Sequence, residues 1–420
     1  MQAQFLIVDE PQTCRGLISL DAAIARATTF ASPMKGTETV TLIQSRNRLL
    51  ADDTTARIDL PPFDASAMDG YALKAKDADR TGAQLHIAAR ISAGERSVSP
   101  ANGTAARIFT GAPVPDGADT VVMQEHVRRC ADAIHLDGPI RRGSNIRRRG
   151  EDIRAGEPLL DSGTRLDARH IALLAAQGLA SVSVRNRAKI AIVSTGNELC
   201  QPGHALRASS IYDSNRPMLL ALASQAGAEA IDGGCLPDDP MQLAARLRQL
   251  AQTFDLVVTT GGASEGEEDH SSSAVILAGG RCEVLKIALK PGKPVVIGTI
   301  GDASYLGLPG NPVAALVSWL MIGGAILARL NGKSFQRSEG TALLSCSVFE
   351  RQPGKQEFVP ARLVLGSAGG LSVEILGRGG SARLKPLALA DGLAEISANK
   401  GRIEPGDPIR FHAFGAAFSL

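Results

Sequence analysis

Residues 255–269, DLVVTTGGASEGEED, concentrate groups that suit a phosphorylated ligand beside a metal ion. The apolar run 255–260 reads as a short buried strand that opens into Gly261-Gly262. A glycine pair accepts positive φ and lets backbone N–H groups approach a phosphate. Ser264 adds a hydroxyl, and Glu265, Glu267, Glu268 and Asp269 add carboxylates of the kind that bind a hard cation such as Mg²⁺. Taken alone the stretch is ambiguous, because many Gly-Gly turns only end a strand and acids on a loop are usually just solvated.

Two more strand-like runs end in the same manner. Run 189–194 leads into Thr195-Gly196-Asn197-Glu198, and run 305–308 leads into Pro309-Gly310-Asn311-Pro312 at the start of a long apolar helix. Ligands of open α/β sheets bind beyond the carboxyl ends of the strands, so these loops are expected to share one rim. Backbone amides and a helix N-terminus supply positive potential there, while Glu198 and Asp269 are the expected metal ligands. Lys286, Lys290 and Lys293, in KIALKPGKP, fit phosphate or oxyanion contacts and fit a solvated turn equally well. Asn215 is expected to cap the helix that follows it. Asp238 and Asp239 also resemble caps, and either could face the rim. The histidines show no metal-ligand spacing, and no Ser/His/Asp or Cys/His arrangement emerges.

The elements that would position these loops are legible from 189 onward. Strands at 189–194, 228–232, 255–260, 295–298 and 305–308 alternate with helices at 216–226, 241–253, 271–277 and 313–330. That alternation predicts a parallel, doubly wound sheet covered by helices on both faces. Residues 15–50 look helical with a strand at 40–43, and short strands between Gly and Pro turns up to 127 predict a β-rich insert. Asp167 is the expected N-cap of a helix over 168–177, with Gly178 just past its end. After Lys333 helices disappear from the pattern, and a small β domain is expected.

The whole chain has 420 residues, a net charge of +2 and 4% aromatics, which makes no case for nucleic acid or an anionic membrane as partner. Its six cysteines are scattered without paired spacing, which predicts buried thiols in a reducing, cytoplasmic setting. The N-terminus lacks the basic and apolar regions of a signal peptide. The apolar run 313–328 is shorter than the roughly 20 residues of a spanning helix, and a buried helix is expected.

Longer motifs carry a resemblance. FDASAMDGYA at 63–72, IFTGAPVP at 108–115, GADTVVMQE at 117–125 and NIRRRGED at 145–152 are joined by STGNEL at 194–199, TGG at 260–262, KPGKP at 290–294 and LPGNP at 308–312. In that order they cover most of the chain, which resembles the MoeA family of molybdopterin molybdenumtransferases, similar to the E domain of gephyrin. The resemblance implies an α/β multidomain fold. An elongated domain comes from 15–50 and 146–187, a β-rich insert from 51–145, a molybdopterin-binding α/β domain from 188–334 and a C-terminal small β-barrel from 335–420. It implies a cytoplasmic homodimer whose active site lies between subunits. Molybdopterin adenylyltransferase and molybdoenzyme maturation proteins are implied as further partners.

The implied reaction inserts molybdate into adenylylated molybdopterin with Mg²⁺ and releases AMP. Carried over by motif, Asp64, Asp69, Thr110 and Asp152 stand on the insert side as catalytic residues, with Glu198 and Asp269 on the sheet side. Thr195, Gly196, Gly261, Gly262, Ser264, Lys286, Lys290, Lys293, Pro309, Gly310, Asn311 and Pro312 are implied to bind the ligand. Glu198, Asp238 and Asp269 are implied metal ligands, with Asp239 an equal candidate for the place of Asp238. The arginines of 141–149 are expected to grip anionic oxygens. The chain departs from the family at Glu265, where an apolar residue is usual, and in HSSSAV at 270–275. A non-catalytic pterin-binding or scaffold protein of the same family is the alternative that Glu265 favours.

Overall fold

The Val/Ile runs form neighbouring strands because both of their faces are covered. Alternate residues of a strand point to opposite faces. Ile190, Ile192, Leu256, Val258, Leu306 and Leu308 pack on one side with Leu219, Leu222, Leu316 and Ile326. Ala191, Val193, Val257 and Tyr305 pack on the other with Leu243, Leu247, Ala274 and Val275. Burial on both faces explains runs without polar alternation. Leu306→Ala, in the middle of this packing, is expected to destabilise by about 2–5 kcal/mol, checked by the shift of a urea unfolding midpoint.

The computed structural model describes residues 16–78, 82–96, 99–136, 138, 140–262, 270–292, 294–366, 369–377 and 382–415. Two compact units emerge, one from the chain up to Gly36 together with Arg185 onward, the other from Thr37–Val184. In the first, six strands stand in the order Glu229–Leu236, Lys189–Thr195, Leu256–Thr260, Ala303–Leu308, Val295–Ile300, Arg281–Leu285. The first four are parallel. Val295–Ile300 is antiparallel to both of its neighbours, so the sheet is mixed where a wholly parallel one was predicted. Only Gly301 and Asp302 separate Val295–Ile300 from Ala303–Leu308, and so short a link can only make a hairpin. The edge strand Arg281–Leu285 escaped the sequence reading because its burial is irregular, with one buried residue, Leu285.

Helix Leu20–Thr29 starts at Ser19, whose hydroxyl accepts from the Ala22 N–H at 3.2 Å. Its face of Leu20, Ala23 and Ala27 joins the core of the sheet. These residues therefore lie in the same compact unit as the sheet. The stretch Pro312–Leu330 is continuous helix with a π-helical turn over Trp319–Gly323. Its 18-residue window has a mean hydropathy of 1.9 and is 83% buried inside the fold, which makes it the expected core helix.

The C-terminal segment of this unit closes on itself. Gln356–Leu365 pairs with Leu371–Ile375 on one side and with Gly392–Ile396 on the other. Thr341–Ser345 and Pro408–Ala413 complete the ring around Val359, Val373, Ile396, Ile409 and Phe411. Closure removes the free edges of a small sheet. One short helix, Leu384–Ala388, interrupts a region read as helix-free. The thiols are less buried than expected. Cys200 is buried, whereas Cys130, Cys235 and Cys346 are exposed.

In the second unit, six strands lie in the order Thr120–Met123, Gly70–Leu73, Thr104–Ile108, Gln84–Ile91, Ala133–Leu136, Val127–Cys130. They form the β-rich insert. Helix Ala168–Ala176 follows the predicted cap: Asp167 accepts from the Arg169 and His170 N–H groups, and Gly178 adopts φ +74° just beyond the end.

Candidate functional site

The three glycine loops of the sheet unit do converge. Ser194 is the register partner of Thr260, and Thr260 of Leu308, so their parallel strands end at one edge. The Gly261 N–H donates to Leu308 O at 3.3 Å. Asn215 binds the loops together. Its Nδ2 donates to Thr260 Oγ1 at 2.9 Å and to Gly310 O at 2.7 Å, and Thr260 Oγ1 donates to Pro309 O at 3.2 Å. This corrects its expected role as a cap. Ser214 is the capping position, and Asn215 is the first residue of helix Asn215–Gln225 with its side chain turned to the rim.

The rim has an unfilled demand for hydrogen bonds. Thr195 Oγ1 and Asn215 Oδ1 are buried without a partner among the described residues. Such groups are rare in folded proteins and call for a ligand or water. Gly261 and Gly262 sit at φ +94° and +65°. A Cβ on Gly261 would lie 2.2 Å from Thr195 O, and one on Gly262 would lie 3.1 Å from Thr195 Oγ1 and 3.2 Å from Ser271 Oγ. The pair thus lets the loop pack directly against Thr195 and Ser271 at the strand ends, closer than any side chain would allow. Gly261→Ala is expected to destabilise the protein by more than about 1 kcal/mol, since it adds both a clash and positive-φ strain, and differential scanning calorimetry checks it.

Acid groups stand on the loop that follows strand Lys189–Thr195 and beside it. The Asn197 N–H donates to Asp238 Oδ2 at 3.0 Å, and the Asp238 N–H donates to Asn197 Oδ1 at 3.3 Å. Asp239 instead caps helix Pro240–Leu250, accepting from the Met241 and Gln242 N–H groups. The ambiguity between the two aspartates is thereby reduced, because Asp238 faces the rim loop and Asp239 is engaged elsewhere. Glu198 is exposed and folds back over Gly196, where a Cβ would lie 2.6 Å from its Oε2. Burial and the carboxylates of Asp213, Glu198 and Asp238 push the Cys235 thiol up, against the pull of Arg216, so these acids share its neighbourhood. Ser264, Asp269 and Lys293 lie outside the described residues, as do Glu265, Glu267 and Glu268. Among the described residues no three His, Cys, Asp or Glu side chains group as a metal site. Glu198 and Asp238 are hard oxygen donors, and Mg²⁺ commonly binds through one or two carboxylates plus substrate phosphates, so this donor set fits it.

Lys286 is exposed. Lys290 is paired with Glu357 of the barrel at 3.0 Å and lines a cavity of about 370 Å³ together with Pro309, Asn311 and Arg383. Asn311 precedes the first turn of the long helix, and Pro312 occupies that turn, where a missing N–H is harmless.

In the second unit, three motif stretches also meet. Ala65 and Ser66 pair with Arg147 and Ile146, and Ala65 bridges to Pro113. Asp69 Oδ1 accepts from both N–H and Oγ1 of Thr110 at 2.8 Å, and these two bonds hold its carboxyl below the usual range. Burial pulls Asp64 upward, but the Arg149 N–H and the Arg148 guanidinium outweigh it and leave the carboxyl below its ordinary value. Asp152 is exposed, and its N–H donates to Leu60 O at 3.0 Å. The basic loop differs from expectation. Arg147 is paired with Glu151, Arg148 with Asp64 and Arg149 with Asp59, so acids within the unit already engage these guanidiniums.

Sequence reasoning missed the rim role of Asn215 and the Glu357–Lys290 pair. It also missed buried Asp213, which accepts from Ser194 Oγ at 2.6 Å and Arg216 Nε at 2.9 Å beneath the rim. The DSN run at 213–215 was the available signal, but local pattern reads it as a cap.

Family models match along the chain: "MoeA N-terminal region (domain I and II)" over residues 18–178, "Probable molybdopterin binding domain" over 191–329 and "MoeA C-terminal region (domain IV)" over 346–414. The chain is 33% identical over 387 residues to the molybdopterin molybdenumtransferase of Haemophilus influenzae, covering 90% of this chain and 94% of that one. It is 35% identical over 383 residues to molybdopterin molybdenumtransferase 2 of Mycobacterium tuberculosis, covering 89% and 94%. The crystal structure of the molybdopterin biosynthesis MoeA protein of Pyrococcus horikoshii superposes with a TM-score of 0.77 at 30% identity, covering 95% of this chain and 99% of that one. With the sheet rim, the insert and the closed barrel all in their places along the sequence, the chain belongs to the MoeA family.

Proposed function

We propose that this protein is a molybdopterin molybdenumtransferase, acting in the cytoplasm as a homodimer in which the rim of one protomer faces the insert of its partner. Adenylylated molybdopterin and molybdate are the substrates. Cleavage of the pyrophosphate link releases AMP, and molybdenum joins the dithiolene sulfurs. The four-part division of the chain given by the resemblance belongs to the same reading. The observation that carries the proposal is the convergence of three loops at Gly261-Gly262, beside a Thr195 Oγ1 that is buried without a partner among the described residues.

Each residue has a task that its surroundings support. The amides of the glycine pair and the start of helix Pro312–Leu330 meet anionic oxygens with fixed dipoles. Lys290, on the wall of the cavity that also holds Pro309 and Asn311, adds positive charge near the helix start, with Lys286 as its expected companion. Glu198 and Asp238 would hold Mg²⁺, whose charge, when bound, polarises a phosphoanhydride and offsets charge on the leaving group. In the insert, the Thr110 hydroxyl commits its proton to Asp69, so its oxygen is left as an acceptor for a donor on the ligand.

The test is to saturate the purified protein with adenylylated molybdopterin and Mg²⁺ and then add molybdate. AMP should appear only after the addition. Tight pterin binding without AMP would replace the proposal with a non-catalytic binding role, and absence of pterin binding would remove both. Sedimentation equilibrium should return twice the mass of one chain.

A further inference from the structure

We infer that Glu357 of the barrel is a positioning residue for Lys290: it fastens this lysine at the wall of the cavity that also holds Pro309 and Asn311. The inference rests on the reading of Lys290 as a contact for anionic oxygens of the ligand.

The backbone brings the two together. The short strand Leu289–Lys290 runs parallel to Gln356–Leu365, with Lys290 the register partner of Glu357. The Gln356 N–H donates to Ala288 O at 2.9 Å, which locks this register. The barrel thus reaches the segment that carries the rim lysines by main chain as well as by charge. Lys290 Nζ lies 3.0 Å from Glu357 Oε1, with the lysine side chain 53% exposed and the glutamate 2% exposed. The exposed end of the pair is therefore the cation, although both residues line the cavity.

A plainer account would have Glu357 serve only as counter-ion to Arg351, whose side chain is 1% exposed. The hydrogen bonding argues otherwise. Arg351 Nε donates to Gln352 O at 3.2 Å, Nη1 to Ile396 O at 3.4 Å, and Nη2 to Lys355 O. Glu357 Oε2 lies 3.2 Å from Arg351 Nε yet makes no hydrogen bond among the described residues. Arg351 is thus held by carbonyls and supplies Glu357 with nearby charge alone. A carboxylate withdrawn from water with one oxygen unbonded is an expensive way to neutralise an arginine that carbonyls already hold. Two cations around one anion leave the cluster with one positive charge, so Lys290 stays attractive to an oxyanion while its place is fixed.

The test compares K290M, E357Q, K290M/E357Q and R351M/E357Q in molybdate-triggered AMP release, with the fold followed by thermal unfolding. E357Q should lower kcat/KM by at least about tenfold. K290M/E357Q should match K290M within about twofold, the sign that both act through one contact. R351M/E357Q removes the buried arginine charge together with the acid, so it folds without an unpaired ion and should show the loss seen in E357Q. Multiplicative losses in K290M/E357Q, or wild-type turnover in R351M/E357Q, would overturn the inference. Acylation of lysines, followed by mass spectrometry, supplies a readout independent of turnover. Lys290 should react faster in E357Q and R351M/E357Q than in wild type, and equal reactivity also overturns the inference. If the wild type releases no AMP, the proposed function fails, and acylation alone still decides whether Glu357 holds Lys290.

Discussion

Glu198→Ala is expected to lower molybdate-triggered AMP release by about 10²–10³-fold, the size typical of removing one preorganised electrostatic group. Glu198 is exposed and belongs to the loop that leaves the central strand Lys189–Thr195. That loop is held independently of it, by the paired bonds between Asn197 and Asp238. Its removal should therefore change unfolding free energy by no more than about 0.5 kcal/mol, as for most exposed positions. The combination of a large kinetic loss and an unchanged fold separates a chemical role from a structural one. Glu198→Gln keeps the shape and removes the charge, so it should be nearly as slow. Single-turnover AMP release measures the effect, and release within tenfold of wild type from either variant would remove Glu198 from the chemistry.

The largest stability effect is expected from Asp213→Ala, at about 3–5 kcal/mol, because it strips a buried charge of its partner. Asp213 is 2% exposed and takes hydrogen bonds from Ser194 Oγ and from both the N–H and Nε of Arg216. Burial works against the charge of Arg216, and Asp213 and Asp232 outweigh it, which holds the guanidinium above its ordinary pKa. Without Asp213, Arg216 keeps only Asp232, whose side chain is 51% exposed and therefore screened. Asp232→Ala should lose less than about 1 kcal/mol, the range of exposed pairs. Urea midpoints of the two variants decide the matter, and a loss in Asp213→Ala no greater than in Asp232→Ala would contradict it. The consequence reaches the site, because Asp213 lies two residues before Asn215, which ties Thr260 to Gly310.

Much of the architecture was legible because its signals are local. Continuous apolar runs identified the central strands, and Asp167 with Gly178 bracketed helix Ala168–Ala176. Strand direction was not legible from alternation alone. Val295–Ile300 looks like its neighbours in composition, and only the two-residue link to Ala303–Leu308 makes it antiparallel. The basic loop misled for a related reason. Three arginines in a row suggest anion binding, but Asp59, Asp64 and Glu151, two of them distant in sequence, fold onto them.

The chain by itself determined which loops end the parallel strands at one rim, since glycine and proline residues at strand ends act through their immediate backbone. Tertiary structure alone decided which side chains tie these loops together. Asn215 joins residues 45 and 95 positions away, and Lys290 meets Glu357 only because a barrel strand docks in one register beside it. Such pairings follow from how surfaces pack across the fold, and no local spacing encodes that register.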